Sequence, residues 1–385
     1  MCSELEPFSS SQDYRDMNCG WKELPPELIE LMLSSFYIGD SLRFRLTCKT
    51  WMSITPPLKT SHLILHSNPE AQKIPWLMSF PNINKGVCNF HHPIYGDSFT
   101  MNIPKLADAI ILESKFGWLL MLRGETSVFF FNPLTAEIIE LPDLEYRYAL
   151  SGISFSAPPT ASECIIFGYD VSIFDPKTIR VLVYHMVKEN ENNDSEAYTW
   201  SMLFFDIEYE FMSSLSNPVY DDGIFYCLGQ DGKLAIFDTM EEECNEWQIL
   251  PLPPLFSCTE KKKFKKPVKS FLVEYKGKIL SVFLGFKGKP LWVYELDRQG
   301  ATMRWVGLDS LGDEVIFLSP TGCMLLPACL KGIQSRIYFS RFHEENNVFY
   351  SLSTRQYHCF KCVYCGKDCK GTCELGNCTW IQLAE

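Results

Sequence analysis

Apolar residues of the segment "LPPELIELMLSSF" (24–36) recur at the spacing of an α-helix. Leu28, Met32 and Phe36 are four residues apart, so they fall on one helical face. The two prolines near its start suit a first helical turn, where a missing N–H costs little. The segment is therefore predicted to form a short helix with a wide apolar face that something else must cover.

A second helix is predicted in "SLRFRLTCKTWMSI" (41–54). Gly39 ends the first helix, and Asp40 offers a side-chain cap for the next one. Leu42 and Leu46 then lie one turn apart. Two such short helices cannot bury this much apolar surface alone, so either the rest of the chain or another protein covers it.

Beyond residue 57 the period of the apolar positions changes to two, which predicts β-strands. The segment "SVFFFNPLTAEIIELP" (127–142) contains an aromatic-rich strand, an Asn-Pro turn and a return strand. Similar phrases follow, with polar turn residues at intervals of 43, 63 and 59 residues: Asn132, Asp175, Asp238 and Asp297. These intervals approach the roughly 40 to 50 residues of a four-stranded propeller blade. A β-propeller is predicted, with an irregular pair of β-sandwiches as the alternative.

Two further segments predict β-hairpins. "DDGIFYCLGQDGKL" (221–234) has a strand, a Gln-Asp-Gly turn and a second strand. "KSFLVEYKGKILSVFLGF" (269–286) is a strand pair around Tyr-Lys-Gly-Lys. Such small sheets are stable in a ring, because each one buries its faces against its neighbours.

The composition agrees with a large β domain and reduces the range of expected binding partners. The 385 residues carry a net charge of −12, and 14% of them are aromatic. An acidic chain lacks the clustered Lys and Arg that give affinity for nucleic acid, so no nucleic-acid partner is expected. One basic run, "KKKFKKPVK" (261–269), fits either a solvated loop or a nuclear address.

The expected localisation follows from the absence of targeting patterns. The polar N-terminus has no signal-peptide pattern, and no window reaches the roughly 18 apolar residues of a membrane helix. We therefore expect an intracellular protein, cytoplasmic or nuclear or both, without a membrane partner. Most of its 16 cysteines should then be reduced thiols.

Residues 21–54 resemble an F-box. The matching features combine helix phase, turn position and a closing Cys-Lys-x-Trp: Leu24-Pro25, Leu28, Ile29, Leu33, Asp40, Leu42, Arg43, Cys48-Lys49 and Trp51. The remainder resembles the C-terminal domain of plant F-box proteins often described as kelch-like, through "GWLLML…VFFFNPLTAEIIELP" and "NNVFYSLSTRQYH". The Gly-Gly pair of true kelch repeats is absent, so the number of blades stays open.

The resemblance implies a mainly β fold with a small α N-terminal domain, namely F-box helices followed by a β-propeller-like repeat domain. Residues 1–20 would be a flexible tail, 21–60 the F-box, and 61–385 the kelch-related propeller with a Cys-rich loop at 358–378. Its implied role is the substrate-recognition subunit of an SCF-type (cullin–RING) ubiquitin ligase. The F-box would bind a Skp-type adaptor, and through it a cullin, while the propeller binds an unknown protein substrate. The implied adaptor contacts are Leu24, Pro25, Leu28, Ile29, Leu33 and Trp51.

The segment "HCFKCVYCGKDCKGTCELGNCTW" places six cysteines between 359 and 378. Two thiolates at C-x2-C spacing followed by Gly are typical of a zinc knuckle, which suggests a structural zinc site of Cys362, Cys365, Cys369 and Cys373. Cys378, or Cys359 with His358, could also supply ligands. The competing interpretations are reduced thiols in a long loop and an iron–sulfur cluster on C-x2-C-x2-C-x3-C. Apart from such zinc, no cofactor is expected.

No enzyme motif is recognisable in the sequence. It lacks G-x-S-x-G, a P-loop and HExxH, and the group of Cys88, His91 and His92 fits a structural role. We expect a receptor subunit without its own catalytic site. Two alternatives stay open: a metal- or redox-responsive β-propeller whose helices cap its own body outside a ligase, and a propeller enzyme.

Overall fold

The computed structural model of the chain describes a β-rich unit and two residues of the segment before it. The chain divides into two units, Met1–Pro69 and Glu70–Glu385. Only Pro25 and Leu28 are described in the first unit. The described residues of the second unit are 73–145, 149–161, 163–171, 177–187, 199–214, 216–239, 246–253, 255, 269–299, 302–359 and 365–382.

The described residues of the second unit form 27 β-strands and three short 3-10 turns. The turns are Ile83–Lys85, Pro104–Leu106 and Phe286–Gly288. The strands are β1 (Trp76–Asn82), β2 (Val87–His91), β3 (Ser98–Asn102), β4 (Ala109–Lys115), β5 (Trp118–Arg123), β6 (Ser127–Phe131), β7 (Ile138–Glu140), β8 (Gly152–Phe155), β9 (Glu163–Val171), β10 (Thr178–Val187), β11 (Ser201–Asp206), β12 (Val219–Asp221), β13 (Ile224–Leu228), β14 (Leu234–Asp238), β15 (Trp247–Ile249), β16 (Lys269–Tyr275), β17 (Lys278–Leu284), β18 (Leu291–Asp297), β19 (Arg304–Gly307), β20 (Glu314–Ser319), β21 (Gly322–Pro327), β22 (Arg336–His343), β23 (Asn346–Ser351), β24 (Gln356–Cys359), β25 (Cys365–Gly366), β26 (Cys373–Glu374) and β27 (Cys378–Ile381).

These strands form the six blades of a β-propeller. Four blades are antiparallel sheets of consecutive strands: β4 to β7, β8 to β11, β12 to β15 and β16 to β19. The innermost strands β4, β8, β12, β16, β21 and β27 contact one another around the ring. The core lies between adjacent sheets, where apolar side chains of neighbouring blades pack in separate clusters.

The blade that closes the ring combines distant parts of the chain. Its strand order is β27-β1-β2-β3, and β27 pairs antiparallel with β1 from Trp76 opposite Ile381 to Ser79 opposite Cys378. Trp380 of β27 is fully buried. Its indole nitrogen donates to the Leu318 carbonyl at 3.0 Å, which ties the closing strand to the neighbouring blade. The ring is thus sealed by main-chain pairing and by one aromatic side chain.

The remaining blade is irregular. Its first two strands form the hairpin β20–β21, and β22 then returns parallel to β20 instead of antiparallel to β21. The sheet continues through β23, β24 and β25, and β26 pairs with the far end of β22. Most of the cysteine-rich segment therefore belongs to the outer part of this blade.

Several hairpins that join an innermost strand to its neighbour have tight two-residue turns. Such turns need φ > 0 at both central positions, which glycine supplies at the second. The three pairs are Phe116-Gly117 (φ 54 and 74), Asp222-Gly223 (φ 47 and 83) and Lys276-Gly277 (φ 50 and 79). Phenylalanine rarely adopts a positive φ, so the first of these turns holds a bulky residue in a costly conformation.

The predicted fold class, mainly β with a small α N-terminal domain, is wrong for the part of the chain that the structure describes. The described residues of the second unit form an all-β, six-bladed propeller, and Leu28 is the one described residue with α-helical backbone. The reason is that the apolar positions of this unit alternate with period two, which only strands satisfy. The segment with helical period, 21–54, lies outside the described residues except for Pro25 and Leu28. The propeller itself, and both predicted hairpins, are confirmed.

The phrase around Asp175 lies in a different hairpin of its blade from those around the other three turn residues. Asn132, Asp238 and Asp297 lie at or beside turns between the third and fourth strands of their blades. The strands on either side of Asp175, β9 and β10, are instead the second and third of their sheet. Asp175 itself lies outside the described residues. The intervals of 43 and 63 residues, which both end at Asp175, therefore join unlike positions.

Candidate functional site

A cavity of about 560 Å³ opens among the innermost strands. It is lined by residues of β4, β8, β12, β16 and β21 and of the turns beside them. Its walls are mostly apolar, with two pairs of opposite formal charge: Glu113 and Lys115 on β4, and Glu274 and Lys276 at the end of β16. The volume is in the range of about 300 to 1,000 Å³ that small-molecule sites occupy.

A β-bulge in β4 brings these two side chains to the cavity. Ile111 pairs with Met121 and Glu113 with Leu120, so Leu112 is the extra residue. Bulges often re-aim side chains beside functional sites. After the bulge, positions 113 and 115 share one face of the strand because side chains alternate with period two. Both line the cavity.

Glu113 is buried and held by donors. Its Oε1 accepts from the Ser114 main-chain N–H at 2.8 Å, and the Asn217 side chain also donates to the carboxyl. Burial nevertheless dominates and raises the pKa of Glu113 from its ordinary 4.5 to about 8. At neutral pH most of this carboxyl is therefore protonated.

Asn217 connects three innermost strands at the cavity wall. Its Nδ2 donates to the Leu112 carbonyl at 2.8 Å, and its Oδ1 accepts from the Ile153 N–H at 3.3 Å. The preceding Ser216 accepts from the Leu272 N–H at 2.9 Å. The segment that leads into β12 therefore fastens β4, β8 and β16 to one another, which fixes the position of Glu113.

Lys115 carries one of the two cationic groups of the cavity. Its Nζ lies 4.8 Å from the ring centre of Phe116. Burial lowers the pKa of the Lys115 ammonium, while the nearby carboxylates of Glu274 and Glu113 oppose that shift. Within the described ranges, no carboxylate comes within 4.0 Å of this Nζ.

Aromatic and small residues shape the two ends of the cavity wall. Phe116 lines it and is 40% exposed, so its ring lies where the cavity meets solvent. Tyr275 lines the same cavity from the end of β16. On the opposite side, Gly322 comes so close to β4 that a Cβ there would lie 3.0 Å from the Ser114 Cβ and 2.5 Å from the Thr379 hydroxyl.

The adaptor contacts implied by the sequence are almost all beyond what the structure describes. Leu24, Ile29, Leu33 and Trp51 lie outside the described residues. Leu28 has helical backbone, and its N–H donates to the Pro25 carbonyl at 3.0 Å. The Leu28 side chain is 47% exposed.

The residues of the suggested zinc site are only partly described. Cys362 lies outside the described residues, and only the backbone of Cys365 is described. Cys369 is a free thiol beside the Tyr357 hydroxyl, whereas Cys373 is free and exposed. Among the described residues, no three Cys, His, Asp or Glu side chains form a metal-binding group.

Cys359, the alternative ligand, is disulfide-bonded. The other cysteines with described side chains are free. The zinc site stays a prediction from the sequence.

The Cys88–His91–His92 group has the contacts of a structural cluster. Burial raises the pKa of the Cys88 thiol to about 12 and lowers that of His91 to about 4. Neither shift favours a thiolate–imidazolium pair. The His92 Nδ1 accepts from the main-chain N–H groups of Ile94 and Tyr95, which braces the turn after β2.

Sequence reasoning missed the cavity residues. Glu113 and Lys115 stand in "AIILESK", which has the pattern of an ordinary strand with a polar end. The bulge that turns them to the cavity depends on the pairing of β4 with β5. The sequence signal that could have identified these residues is the pair of charged residues in an otherwise apolar strand, directly before the turn Phe116-Gly117.

The described residues contain no helix of sufficient length and apolar character to span a bilayer.

Comparisons with known proteins point to one family. The family model described as the KIB1-4 beta-propeller matches residues 89–364. The Arabidopsis thaliana F-box/kelch-repeat protein At1g57790 is 30% identical over 345 residues, which cover 88% of each chain. The F-box protein At4g00893 of the same plant is 29% identical, covering 89% of this chain and 82% of its own. Among solved structures, the N-terminal domain of Nup159 covers 75% of this chain and 73% of its own at 10% identity and a TM-score of 0.33, a likeness too distant to inform function.

Proposed function

Because the chain belongs to the KIB1-4 β-propeller family and its relatives are plant F-box proteins, we propose that it is the substrate receptor of an SCF-type ubiquitin ligase. The observation that carries the proposal is the extent of the match to At1g57790. It spans 88% of both chains, so it exceeds the 276 residues that the propeller model matches. The resemblance to plant F-box proteins that the sequence indicated is thereby confirmed.

The proposed adaptor surface is the apolar set in the 21–54 segment. Leu28 supports it, because a helical leucine that is 47% exposed has apolar area left for a partner. Burying each such side chain is worth about 1.5 to 3 kcal/mol before the costs of association. The proposed contacts are Leu24, Pro25, Leu28, Ile29, Leu33 and Trp51.

The proposed mechanism is positioning, without chemistry by the chain itself. A Skp-type adaptor and a cullin would hold one end of the chain, and the propeller would hold a protein substrate. Holding the substrate near a ubiquitin-loaded enzyme converts an encounter between separate molecules into one at high effective concentration. A closed ring of blades suits this role, since a rigid scaffold keeps its surface loops in fixed relative positions.

The test is binding of the full chain to a Skp-type adaptor by size-exclusion chromatography and calorimetry. We expect a one-to-one complex for the wild type and none for the double variant Leu28→Asp, Leu33→Asp. The matched control is Phe204→Asp, which places the same charge on a propeller side chain that is 64% exposed. The control should bind like the wild type.

The decisive result combines binding with folding. Loss of the complex in a double variant with unchanged thermal stability supports the proposal. If the wild type forms no complex, or the double variant binds as well as the control, the adaptor role is refuted. A double variant that loses thermal stability instead would favour segment 21–54 as part of the internal core.

A further inference from the structure

We propose that the central cavity binds a small organic acid, a carboxylate attached to a flat apolar body, with Lys115 pairing with the carboxylate. The inference rests on the geometry of the propeller and does not depend on assembly of a ligase. It assigns a ligand class to a cavity of about 560 Å³ that the proposed receptor role leaves unused.

The first support is a cation that lacks a close acceptor. Glu274, Glu113 and Asp221 act on Lys115 electrostatically, but among the described residues none of them forms an ion pair with it within 4.0 Å, and each has another hydrogen-bond partner. Glu274 accepts from the Gly277 N–H at 3.0 Å, and Asp221 pairs with Arg298 at 2.7 Å. The three N–H donors of Lys115 therefore face a cavity in which a ligand can supply the acceptor.

The second support is that Glu113 also acts as a donor. Both of its described partners, the Ser114 N–H and the Asn217 amide, already donate to it. Since its burial keeps it mostly protonated near neutral pH, its own O–H needs an acceptor, and the described contacts show none. A carboxylate between Glu113 and Lys115 would accept from both groups. A cationic ligand would instead place a second positive charge beside Lys115.

The third support is the character of the remaining wall. Aromatic and aliphatic side chains dominate it, and they suit a flat apolar body: Phe116, Trp118, Leu134, Phe271, Tyr275 and Leu325. An apolar body with one charged group fits the usual design of such sites, in which few polar groups fix the orientation. A phosphate or another highly charged anion fits poorly, because the carboxylate of Glu274 also lines the wall and would repel the additional negative charge.

The experiment compares three probes that differ in one group. Biphenyl-4-carboxylate, biphenyl-4-carboxamide and biphenyl-4-ylmethylammonium are titrated into the full chain at pH 7 by calorimetry. We expect the carboxylate to bind at least tenfold more tightly than the amide, and the ammonium compound to bind most weakly. Equal affinities of acid and amide, or no binding of the acid, would overturn the proposal.

Two variants locate the binding. Lys115→Met keeps the length of the side chain and removes the charge, so the preference for the acid over the amide should fall to about parity. Lys276→Met is the matched control, because Lys276 is an exposed lysine beside the same cavity. It should retain the tenfold preference. A preference that survives in Lys115→Met, or disappears in Lys276→Met, contradicts the assignment of Lys115.

A third variant tests the cavity without changing any charge. Leu134→Trp adds bulk to the wall and should weaken the carboxylate and the amide alike, by at least tenfold. If all affinities stay unchanged, the probes bind elsewhere and the proposal fails. Circular dichroism checks that each variant is folded, and Leu134→Trp still decides the location if Lys115→Met does not fold.

Discussion

Replacing Trp380 by alanine should destabilise the propeller more than removal of any partly exposed tryptophan. Trp380 is fully buried at the seam between the closing blade and its neighbour, where its ring meets Phe317 edge-on at a centroid distance of 5.1 Å. Truncating a buried Trp to Ala costs about 3 to 5 kcal/mol. The Leu318 carbonyl also loses its indole donor, which adds about 1 kcal/mol.

The expected loss of about 4 to 6 kcal/mol is a large share of the 5 to 15 kcal/mol that stabilises a typical domain. The assay is urea unfolding of the full chain, followed by far-UV circular dichroism because the substitution itself changes tryptophan fluorescence. Trp380→Phe serves as the intermediate case. It keeps most of the apolar contact but loses the indole donor and part of the ring volume, so about 1 to 3 kcal/mol should be lost.

Trp292→Ala is the control for the same change of residue type. Trp292 lies on β18 and is only partly buried, so its removal should cost clearly less than that of Trp380. The reasoning is refuted if the urea midpoint of Trp380→Ala shifts no more than that of Trp292→Ala. It is also refuted if Trp380→Phe is as damaging as Trp380→Ala, because the apolar contact would then contribute nothing.

Three further predictions follow from the cavity and the cysteine segment. Because the folded-state pKa of Glu113 is raised from 4.5 to about 8, its stabilising contribution is complete below pH 4.5 and is lost as the pH rises through 8. Glu113→Gln should therefore gain stability relative to the wild type between pH 5 and pH 8, and a pH-independent difference in urea midpoint would contradict this. Gly322→Ala should lower the free energy of unfolding by about 1 to 3 kcal/mol, because the added Cβ would overlap the Thr379 hydroxyl and press on Ser114. Gly312→Ala is the control: the space around Gly312 is open, so this variant tests the effect of a positive φ alone. If the suggested zinc site exists, elemental analysis of the purified chain should show one zinc per molecule, and Cys373→Ser should lower that ratio.

The sequence predicted the propeller because the information is local. Alternating strands, Gly-containing turns and aromatic-rich phrases each depend on a few neighbouring residues, and the hairpins around Gln230 and Lys276 were correctly placed. The pairing of β27 with β1 was not predictable in this way. Its partners are about 300 residues apart, and a short apolar strand such as "CTWI" fits many edges equally well.

The cavity residues were missed for a related reason. Glu113 and Lys115 face the cavity only because Leu112 is an extra residue opposite β5. Such a bulge moves every following side chain of the strand to the other face. The alternation of apolar and polar residues along β4 does not reveal this shift by one residue, because the shift arises from the pairing of β4 with β5. The misaligned Asp175 phrase shows the same limit, since similar phrases can end different strands of a blade.

The seam between β27 and β1 also sets an order of events during synthesis. The ribosome makes Trp76 about 300 residues before Ile381, which at roughly 5 to 20 residues per second means about 15 to 60 seconds. Throughout that time the inner edge of β1 has no partner strand, and such an edge invites pairing with other chains. The risk of pairing with other chains therefore lasts until β27 has been made, and a premature stop codon before Cys378 would leave the edge open permanently.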